Sequence, residues 1–408
     1  MNGQAATPAP PPTRIATGGT PRRYAVTEPP AQRPTWAQVD LDAIAANVGV
    51  LKRQATAGML MAVVKADGYG HGLVPAGRAA LAGGADWLAV ALVEEGVALR
   101  VAGIAAPILV MTEPPATAIP ELLGADLTPA VYTAAFASAL AAAANQGRLD
   151  PVAVHLKLDT GMRRVGVPQS QWQDALRQIR DTAGLRLQGL WSHFAVADEP
   201  DNPFIVYQAE EFRRGVAMAR TLGVRPDVTH LANSAGTLHL HDDHYDMVRP
   251  GLAVYGLEPA PGLFGDLPLR PALSWWTRLS LVKRLAAGEA ISYGLRWSAP
   301  RATTVATVPA GYADGVTRAL SNRGEVVVRG RRMPVAGTVC MDQFLVDAGD
   351  TEVAAGDDVC LLGQQDGVRV TAQDWAAWLG TINYEVVCGI GRRVPRVYLG
   401  GPVTPLPG

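Results

Sequence analysis

Short apolar runs alternate with helix-compatible stretches over the first two thirds of the chain, and this alternation constrains the fold more than any other feature. The runs, each long enough for one strand, lie near residues 60–65, 87–91, 107–111, 127–131, 152–158, 187–193, 227–231 and 247–254. The clearest helical stretches lie at 73–83, 132–146, 169–181 and 204–222. This pattern predicts an α/β fold with a parallel sheet, either closed as an eight-stranded (β/α)8 barrel or open and doubly wound. Strand counting alone does not decide between the two.

The pattern changes after about residue 270. Short apolar runs now follow one another between glycines and charged turns, at 277–284, 303–309, 325–328, 344–347 and 358–362. We therefore expect a barrel-type domain over 35–270 and a smaller, mostly β domain over 271–408. Residues 1–34 are rich in Pro and Ala, so they bury too little apolar surface to offset chain entropy, and we expect a disordered tail there.

Charge and cysteine content exclude several classes of function. The net charge is −1 and no Lys/Arg-rich tract occurs, which argues against nucleic-acid or membrane partners and for a small-molecule ligand. Cys340, Cys360 and Cys388 are widely spaced, so neither a disulfide framework nor a metal site is expected. The sequence contains no apolar stretch of membrane-spanning length and no secretory signal, so we expect a cytoplasmic location.

Lys65 ends an apolar run and precedes a glycine-rich segment. Lysine is scarce in this sequence: only four of the 36 Lys and Arg residues are lysines. Only lysine among the basic side chains can lose its proton when desolvated and form a Schiff base, so Lys65 is a candidate catalytic residue. A lone lysine at a strand end more often extends its amine to solvent, but the motif around Lys65 favours chemistry.

Residues 63–72, VVKADGYGHG, resemble the pyridoxal-phosphate attachment segment of the alanine racemases. Further segments match the same family in the same order, at 158–166, 192–195, 233–234, 249–251, 292–294, 311–315, 340–342 and 393–396. The resemblance covers nearly everything after about residue 35. It implies a fold type III enzyme with the closed barrel, and pyridoxal 5'-phosphate as the cofactor.

Within this resemblance Lys65 forms the aldimine with the cofactor and then acts as a base. Arg249 is placed against the pyridine nitrogen, where its retained proton makes the cofactor a weaker electron sink. The related basic amino-acid decarboxylases carry Glu-Pro-Gly where this chain has Arg249-Pro250-Gly251, which argues for racemisation. The remaining implied cofactor contacts are Tyr69, Arg164, His193, Asn233, Ser234, Gly251, Leu252 and Tyr384. His230 is a further candidate near this network.

Racemisation requires a second base on the opposite face of the α-carbon, and Tyr293 matches that base. The substrate contacts implied by the family are Arg164, Tyr312, Cys340, Met341 and Asp342. Family members supply several of these from the other subunit, so the resemblance implies a head-to-tail homodimer with shared active sites. Lys157 corresponds to a lysine that is carbamylated in many members. Pairing with Asp159 is the equally weighted alternative.

The function implied is an alanine racemase that interconverts L- and D-alanine through a pyridoxal-phosphate aldimine with two bases, supplying D-alanine for peptidoglycan. One alternative is a broader racemase acting on serine or lysine; Tyr312 and Met341 favour the small substrate. The other is a non-catalytic pyridoxal-phosphate protein built on the barrel alone. Such a protein would lack the second domain that carries Tyr293 and Cys340.

Overall fold

The apolar runs of the first two thirds of the chain form a ring of parallel strands, as predicted. The computed structural model describes residues 33–147 and 150–401. The predicted tail over 1–34 lies outside these residues except for its last two. The described chain opens with strand β1 (Thr35–Asp40), and the barrel strands follow: β2 (Met59–Val63), β3 (Trp87–Val90), β4 (Ile108–Val110), β5 (Thr128–Val131), β6 (Val152–Lys157), β7 (Leu185–Trp191), β8 (Val228–His230) and β9 (Met247–Val248).

The barrel strands pair in the order β8-β7-β6-β5-β4-β3-β2-β9, with parallel neighbours throughout. Two backbone hydrogen bonds bridge the remaining gap between β8 and β9: Asp246 N donates to Thr229 O at 3.1 Å, and Arg249 N to Ala232 O at 2.9 Å. The result is a nearly closed eight-stranded barrel, which confirms the predicted fold class and decides against the open sheet.

The helices of this part surround the strands. They are α1 (Leu41–Gln54), α2 (Lys65–Tyr69), α3 (Leu73–Ala82), α4 (Val93–Val101), α5 (Ile119–Gly124), α6 (Ala134–Gln146), α7 (Trp172–Asp181), α8 (Phe204–Thr221) and α9 (Ser234–His239). Helix α7 buries Trp172, Leu176 and Ile179, whose spacing places all three on one face against the barrel. Short 3₁₀ turns lie at Ala116–Ala118, Gln169–Gln171, His241–Asp243 and Leu252–Tyr255.

The second domain is mostly β, as predicted. Its strands are β10 (Leu273–Arg278), β11 (Leu281–Leu285), β12 (Ala290–Ile291), β13 (Trp297–Ser298), β14 (Thr303–Val308), β15 (Glu325–Val328), β16 (Arg331–Pro334), β17 (Phe344–Gly349), β18 (Asp358–Gln365), β19 (Val368–Val370) and β20 (Arg396–Leu399). Its helices are α10 (Ala372–Leu379) and α11 (Asn383–Cys388), with 3₁₀ turns at Tyr293–Leu295 and Arg318–Leu320. The run at 277–284 is not one strand, because the chain leaves one sheet after β10 and enters another at β11.

Strand β1 does not belong to the barrel sheet, although residues 35–40 were expected in the barrel domain. It pairs antiparallel with β10 and parallel with β20, inside the main sheet of the second domain, whose order is β16-β15-β18-β10-β1-β20. Burial alternates only over residues 37–40, a pattern that suits either sheet, so only the pairing distinguishes them. The first described strand therefore belongs to the β domain, and the chain enters the barrel through α1, while the boundary near residue 270 stays a prediction.

Candidate active site

The short segment α2, which follows β2, is a single left-handed turn and not a regular α-helix. Ala66, Asp67 and Gly68 have φ of 52°, 54° and 61°, a conformation that costs about 1–2 kcal/mol for each L-residue with a side chain. Side chains compensate locally: Glu95 accepts from Ala66 N at 2.6 Å, and Asp67 accepts from Leu73 N at 2.8 Å. Strain of this kind persists where surrounding contacts enforce it, commonly at active sites. The turn begins at Lys65, two residues beyond the end of β2.

The Lys65 amine is half-buried at the barrel mouth. Burial lowers the pKa of Lys65 most, the positive charge of Arg164 lowers it further, and Glu95 opposes both effects. Arg164 itself is exposed on the loop after β6. A lowered pKa increases the fraction of neutral amine, which is the form that can act as a nucleophile or accept a proton.

Arg249 lies in the barrel interior with only 2% of its surface exposed. Its Nη2 donates to Ser192 O at 2.7 Å, Leu231 O at 3.0 Å and His193 Nδ1 at 3.1 Å. Its Nε is buried and has no hydrogen-bond partner among the described residues. Burial lowers the pKa of Arg249 to about 9, so the guanidinium stays charged at neutral pH. One donor is thus free to bind a ligand atom.

Two histidines continue this network. Arg249 Nη1 lies 3.0 Å from His230 Nδ1, and His230 Nε2 lies 2.9 Å from His155 Nδ1. An arginine only donates, so His230 must accept at Nδ1 and carry its proton on Nε2, which it donates to His155. Burial lowers the pKa of His155 to about 3, so it is neutral. Sequence reasoning assigned His155 no role; its only signal is the two-residue spacing from Lys157 on β6.

Lys157 is 4% exposed and lies beside this network, against the ring of Trp191. Its Nζ is 4.4 Å from the centre of the Trp191 ring, which also contacts the Arg249 guanidinium at 4.9 Å. Burial first, then the charges of Arg249 and Arg164, lower the pKa of Lys157 to about 7. No ion pair joins Lys157 to Asp159 within the described chain. The Asp159 carboxylate accepts instead from backbone N–H groups of its own loop, at 2.9 and 3.0 Å.

A polar cradle lies where the loops after β8 and β9 meet. Ser234 Oγ, at the start of α9, accepts from Gly251 N at 2.8 Å and Ala253 N at 3.3 Å. Asn233 caps α9 by accepting from Gly236 N at 3.0 Å. Leu252 is buried and begins the following 3₁₀ turn. A side chain at Gly251 would clash with the Tyr69 hydroxyl, so glycine is required for this close approach.

Helix α11 of the β domain closes this side of the site. The Tyr69 ring lies 6.1 Å from that of Tyr384 on α11 and 5.0 Å from that of Tyr255. Burial raises the pKa of the Tyr384 phenol to about 12. Burial also raises the pKa of Tyr69, so the phenols of Tyr69 and Tyr384 stay protonated and able to donate a hydrogen bond. Gly70 packs directly against the Val387 carbonyl of α11.

The remaining predicted site residues form a separate cluster in the β domain. Tyr293 and Met341 are 75% and 53% exposed, and Tyr312 is exposed beside them. Backbone hydrogen bonds hold the cluster together, including Tyr312 N to Cys340 O at 3.0 Å. Asp342 pairs with Arg393 at 2.7 Å. Among the described residues, no hydrogen bond, ion pair or ring contact joins Tyr293 or Met341 to Lys65.

The arrangement suits a ligand with three features. A half-buried amine can attack an electrophilic carbon, an unpaired buried guanidinium N–H can bind a ring acceptor, and the Ser234 cradle can bind an anion. In the part of the chain that the structure covers, no group of three or more His, Cys, Asp or Glu could hold a metal ion. Nor does any described helix have the length and apolar character needed to cross a membrane.

Fold and site together define a barrel protein with a mostly β second domain and a half-buried lysine of lowered pKa at the barrel mouth. Residues 39–259 match the family model for the alanine racemase N-terminal domain, and residues 272–398 match the model for its C-terminal domain. The chain belongs to the alanine racemase family, which confirms the resemblance seen in its motifs.

Relatives support this membership along nearly the whole chain. The alanine racemase of Symbiobacterium thermophilum is 49% identical, over 90% of this chain and 98% of the relative. That of Thermobifida fusca is 48% identical, over 89% and 98%. The crystal structure of the alanine racemase of Streptomyces lavendulae superimposes with a TM-score of 0.87 at 43% identity, covering 91% of this chain and 98% of the other.

Proposed function

We propose that this protein is an alanine racemase that interconverts L- and D-alanine with pyridoxal 5'-phosphate, using Lys65 and Tyr293 as its two bases. The observation that carries the proposal is the unpaired Nε of a buried arginine in the same barrel mouth as a lysine of lowered pKa. The family membership and the names of the relatives support the same activity.

The residues present fit this cofactor. Lys65 would hold its aldehyde carbon, and Arg249 Nε would donate to its ring nitrogen. Ser234, the backbone at Gly251 and Leu252, and the phenols of Tyr69 and Tyr384 would bind its phosphate, since hydroxyl and N–H donors at loop ends suit that anion. His193 and Asn233 would act indirectly, the first on Arg249 and the second on α9.

Arg249 supports racemisation over other reactions of amino acids. With a pKa of about 9, Arg249 keeps its proton at neutral pH and donates a hydrogen bond without giving up the proton. When bound, the cofactor supplies an electron-accepting ring that makes the α-hydrogen of an amino acid acidic. A donor that retains its proton limits how far electrons are withdrawn, which favours return of the hydrogen to the α-carbon.

Lys65 and Tyr293 would move the proton on opposite faces of the α-carbon. The lowered pKa of Lys65 supports a neutral amine that accepts it on one side. Tyr293 would act on the other side, toward L-alanine, and Arg164 would bind the substrate carboxylate. Tyr312, Met341 and their neighbours Cys340 and Asp342 would narrow the entry, which favours alanine over larger amino acids.

Two chains would complete each site. Among the described residues, no contact joins the exposed cluster with Tyr293, Tyr312 and Met341 to Lys65 of the same chain, which supports a head-to-tail homodimer with shared sites. Lys157 would be carbamylated, because a lysine with a pKa of about 7 offers neutral amine to carbon dioxide and no carboxylate pairs with it in the described chain. The product would be D-alanine for peptidoglycan.

The test is incubation with single enantiomers of alanine, serine and lysine in deuterated water, followed by analysis of α-deuterium and chirality. We expect inversion of alanine that Lys65→Ala abolishes together with the cofactor's visible absorbance. Lys283→Ala, which alters an exposed lysine on β11, is the matched control. Retained absorbance in Lys65→Ala would refute the assignment of Lys65.

The second base and the shared site are tested separately. Tyr293→Phe should strongly reduce turnover of L-alanine while the cofactor stays bound. Mixed Lys65→Ala and Tyr293→Ala chains should regain partial activity, because one site of the hybrid dimer has both bases. No recovery despite demonstrated subunit exchange would refute the shared site.

A further inference from the structure

Ser292, directly before Tyr293, has an unusual backbone. Its φ of 63° and ψ of 178° lie in a region that is essentially restricted to glycine. Leu295, at the end of the same turn, has a φ of 48°. A residue with a side chain keeps such a conformation only where surrounding contacts enforce it. Contacts with other parts of the chain must therefore hold the turn that carries Tyr293.

Two hydrogen bonds with Thr338 hold this turn. Ser292 Oγ donates to Thr338 O at 2.7 Å, and Thr338 Oγ1 donates to Tyr293 O at 2.7 Å. Thr338 is 3% exposed, so water competes little for these bonds. The pair fixes the backbone on both sides of the Ser292–Tyr293 peptide bond.

Thr338 is itself fixed by its neighbours in sequence. Gly337 N donates to Asn322 Oδ1 at 2.6 Å, and Val339 N donates to Ser321 Oγ at 2.9 Å. The following residue, Cys340, accepts from Tyr312 N at 3.0 Å. Thr338 thus links the Tyr293 turn to the loop that carries Cys340 and Met341, which are proposed to narrow the entry to the site.

The Tyr293 side chain has no comparable support, since most of its surface is exposed. Packing within the chain leaves the ring free, so its position depends on the backbone from which it projects. A base must meet the α-hydrogen at hydrogen-bond distance, and displacement of about 1 Å costs up to about 100-fold in rate.

We propose that Thr338 is a positioning residue: with Ser292 it fixes the backbone of Tyr293 so that the phenol reaches the α-carbon of the substrate. This inference rests on the proposed function, and in particular on Tyr293 as the second base. Thr338 touches neither substrate nor cofactor in this role.

The test compares inversion with exchange in deuterated water, using the holoenzyme. Inversion requires both bases, whereas Lys65 alone can remove the α-hydrogen of D-alanine and return deuterium to the same face. Thr338→Val removes the hydroxyl at nearly constant volume. We expect it to slow inversion about 10-fold while exchange with retention in D-alanine changes less than about 2-fold. Thr338→Ser, which keeps the hydroxyl, should restore the wild-type ratio.

Two further variants make the result decisive. Ser292→Ala removes the other hydrogen bond and should lower the ratio of inversion to exchange in the same way. This variant tests the proposal if Thr338→Val does not fold. Thr304→Val removes a hydroxyl that, among the described residues, accepts a hydrogen bond from Arg284 on the surface, and it should leave the ratio unchanged. Equal effects on inversion and exchange, or no effect, would overturn the positioning role. Absence of inversion by the wild type would instead refute the proposed function, and this inference with it.

Discussion

Gly70→Ala should displace helix α11 from the turn that carries Lys65. Gly70 ends this turn with a φ of 79°, and a β-carbon there would overlap the Val387 carbonyl, which is backbone and cannot rotate away. Arg396 Nε also donates to Gly70 O at 3.0 Å, so the turn cannot shift freely to make room. The substitution therefore acts on the contact between the two domains beside the proposed cofactor site.

The expected magnitude has two parts. Alanine in the left-handed region costs about 1–2 kcal/mol relative to glycine. The overlap adds about 1–3 kcal/mol, the usual range for overpacking a tightly packed contact. Gly70→Ala should thus lower the free energy of unfolding by about 2–5 kcal/mol. Because α11 carries Tyr384, it should also weaken cofactor binding.

Gly380→Ala separates the conformational cost of alanine from the cost of the overlap. Gly380 ends α10 with a φ of 68°, and no atom lies within 4 Å of a β-carbon built there. It should cost only the conformational part, about 1–2 kcal/mol. Urea unfolding of both variants, with cofactor affinity measured in parallel, checks this. Equal destabilisation by the two substitutions, or unchanged cofactor affinity in Gly70→Ala, would refute the proposed effect of the close contact between Gly70 and the Val387 carbonyl.

Two further outcomes follow from buried charges. The pKa of Lys157, about 7, makes half of its amine neutral near pH 7, so carbamate formation should rise from pH 6 to pH 8 at fixed carbon dioxide. Mass spectrometry of the Lys157 peptide checks this, and equal yields would contradict the lowered pKa. Asp314→Asn should destabilise the fold by about 2–3 kcal/mol, because this fully buried carboxylate pairs with Arg33 at 2.6 Å. Asp350→Asn, at an exposed pair, should change urea unfolding little, and similar losses would contradict the argument.

The elements of the fold were largely predictable because they depend on local patterns. Continuous apolar runs such as β3 and β4 are buried on both faces, and a window of a few residues shows this without knowledge of the partner strand. The pairing of β1 was not predictable, because an alternating strand fits any half-buried sheet. Its partners β10 and β20 lie far away in the sequence.

The candidate site was likewise predictable only in part. Motifs around Lys65 and Arg249 identified residue types that suit the chemistry, but not the left-handed turn after Lys65. That turn depends on Glu95, a residue of another helix, and on Asp67 binding Leu73 N. The direction of the hydrogen bonds from Arg249 through His230 to His155 likewise requires distances between three strands or loops.

The sequence by itself determined where most strands and helices form, that a mostly β region follows the barrel strands, and which residue types are available for a Schiff base and an anion site. These properties follow from periodicity, burial and side-chain chemistry, which are local. Only the tertiary structure decided that β1 joins the second domain, that one donor of Arg249 has no partner among the described residues, and that no described contact joins Tyr293 to Lys65 within one chain. Those facts depend on contacts between segments that are distant in the sequence, and a pattern within a short stretch of sequence does not specify such contacts.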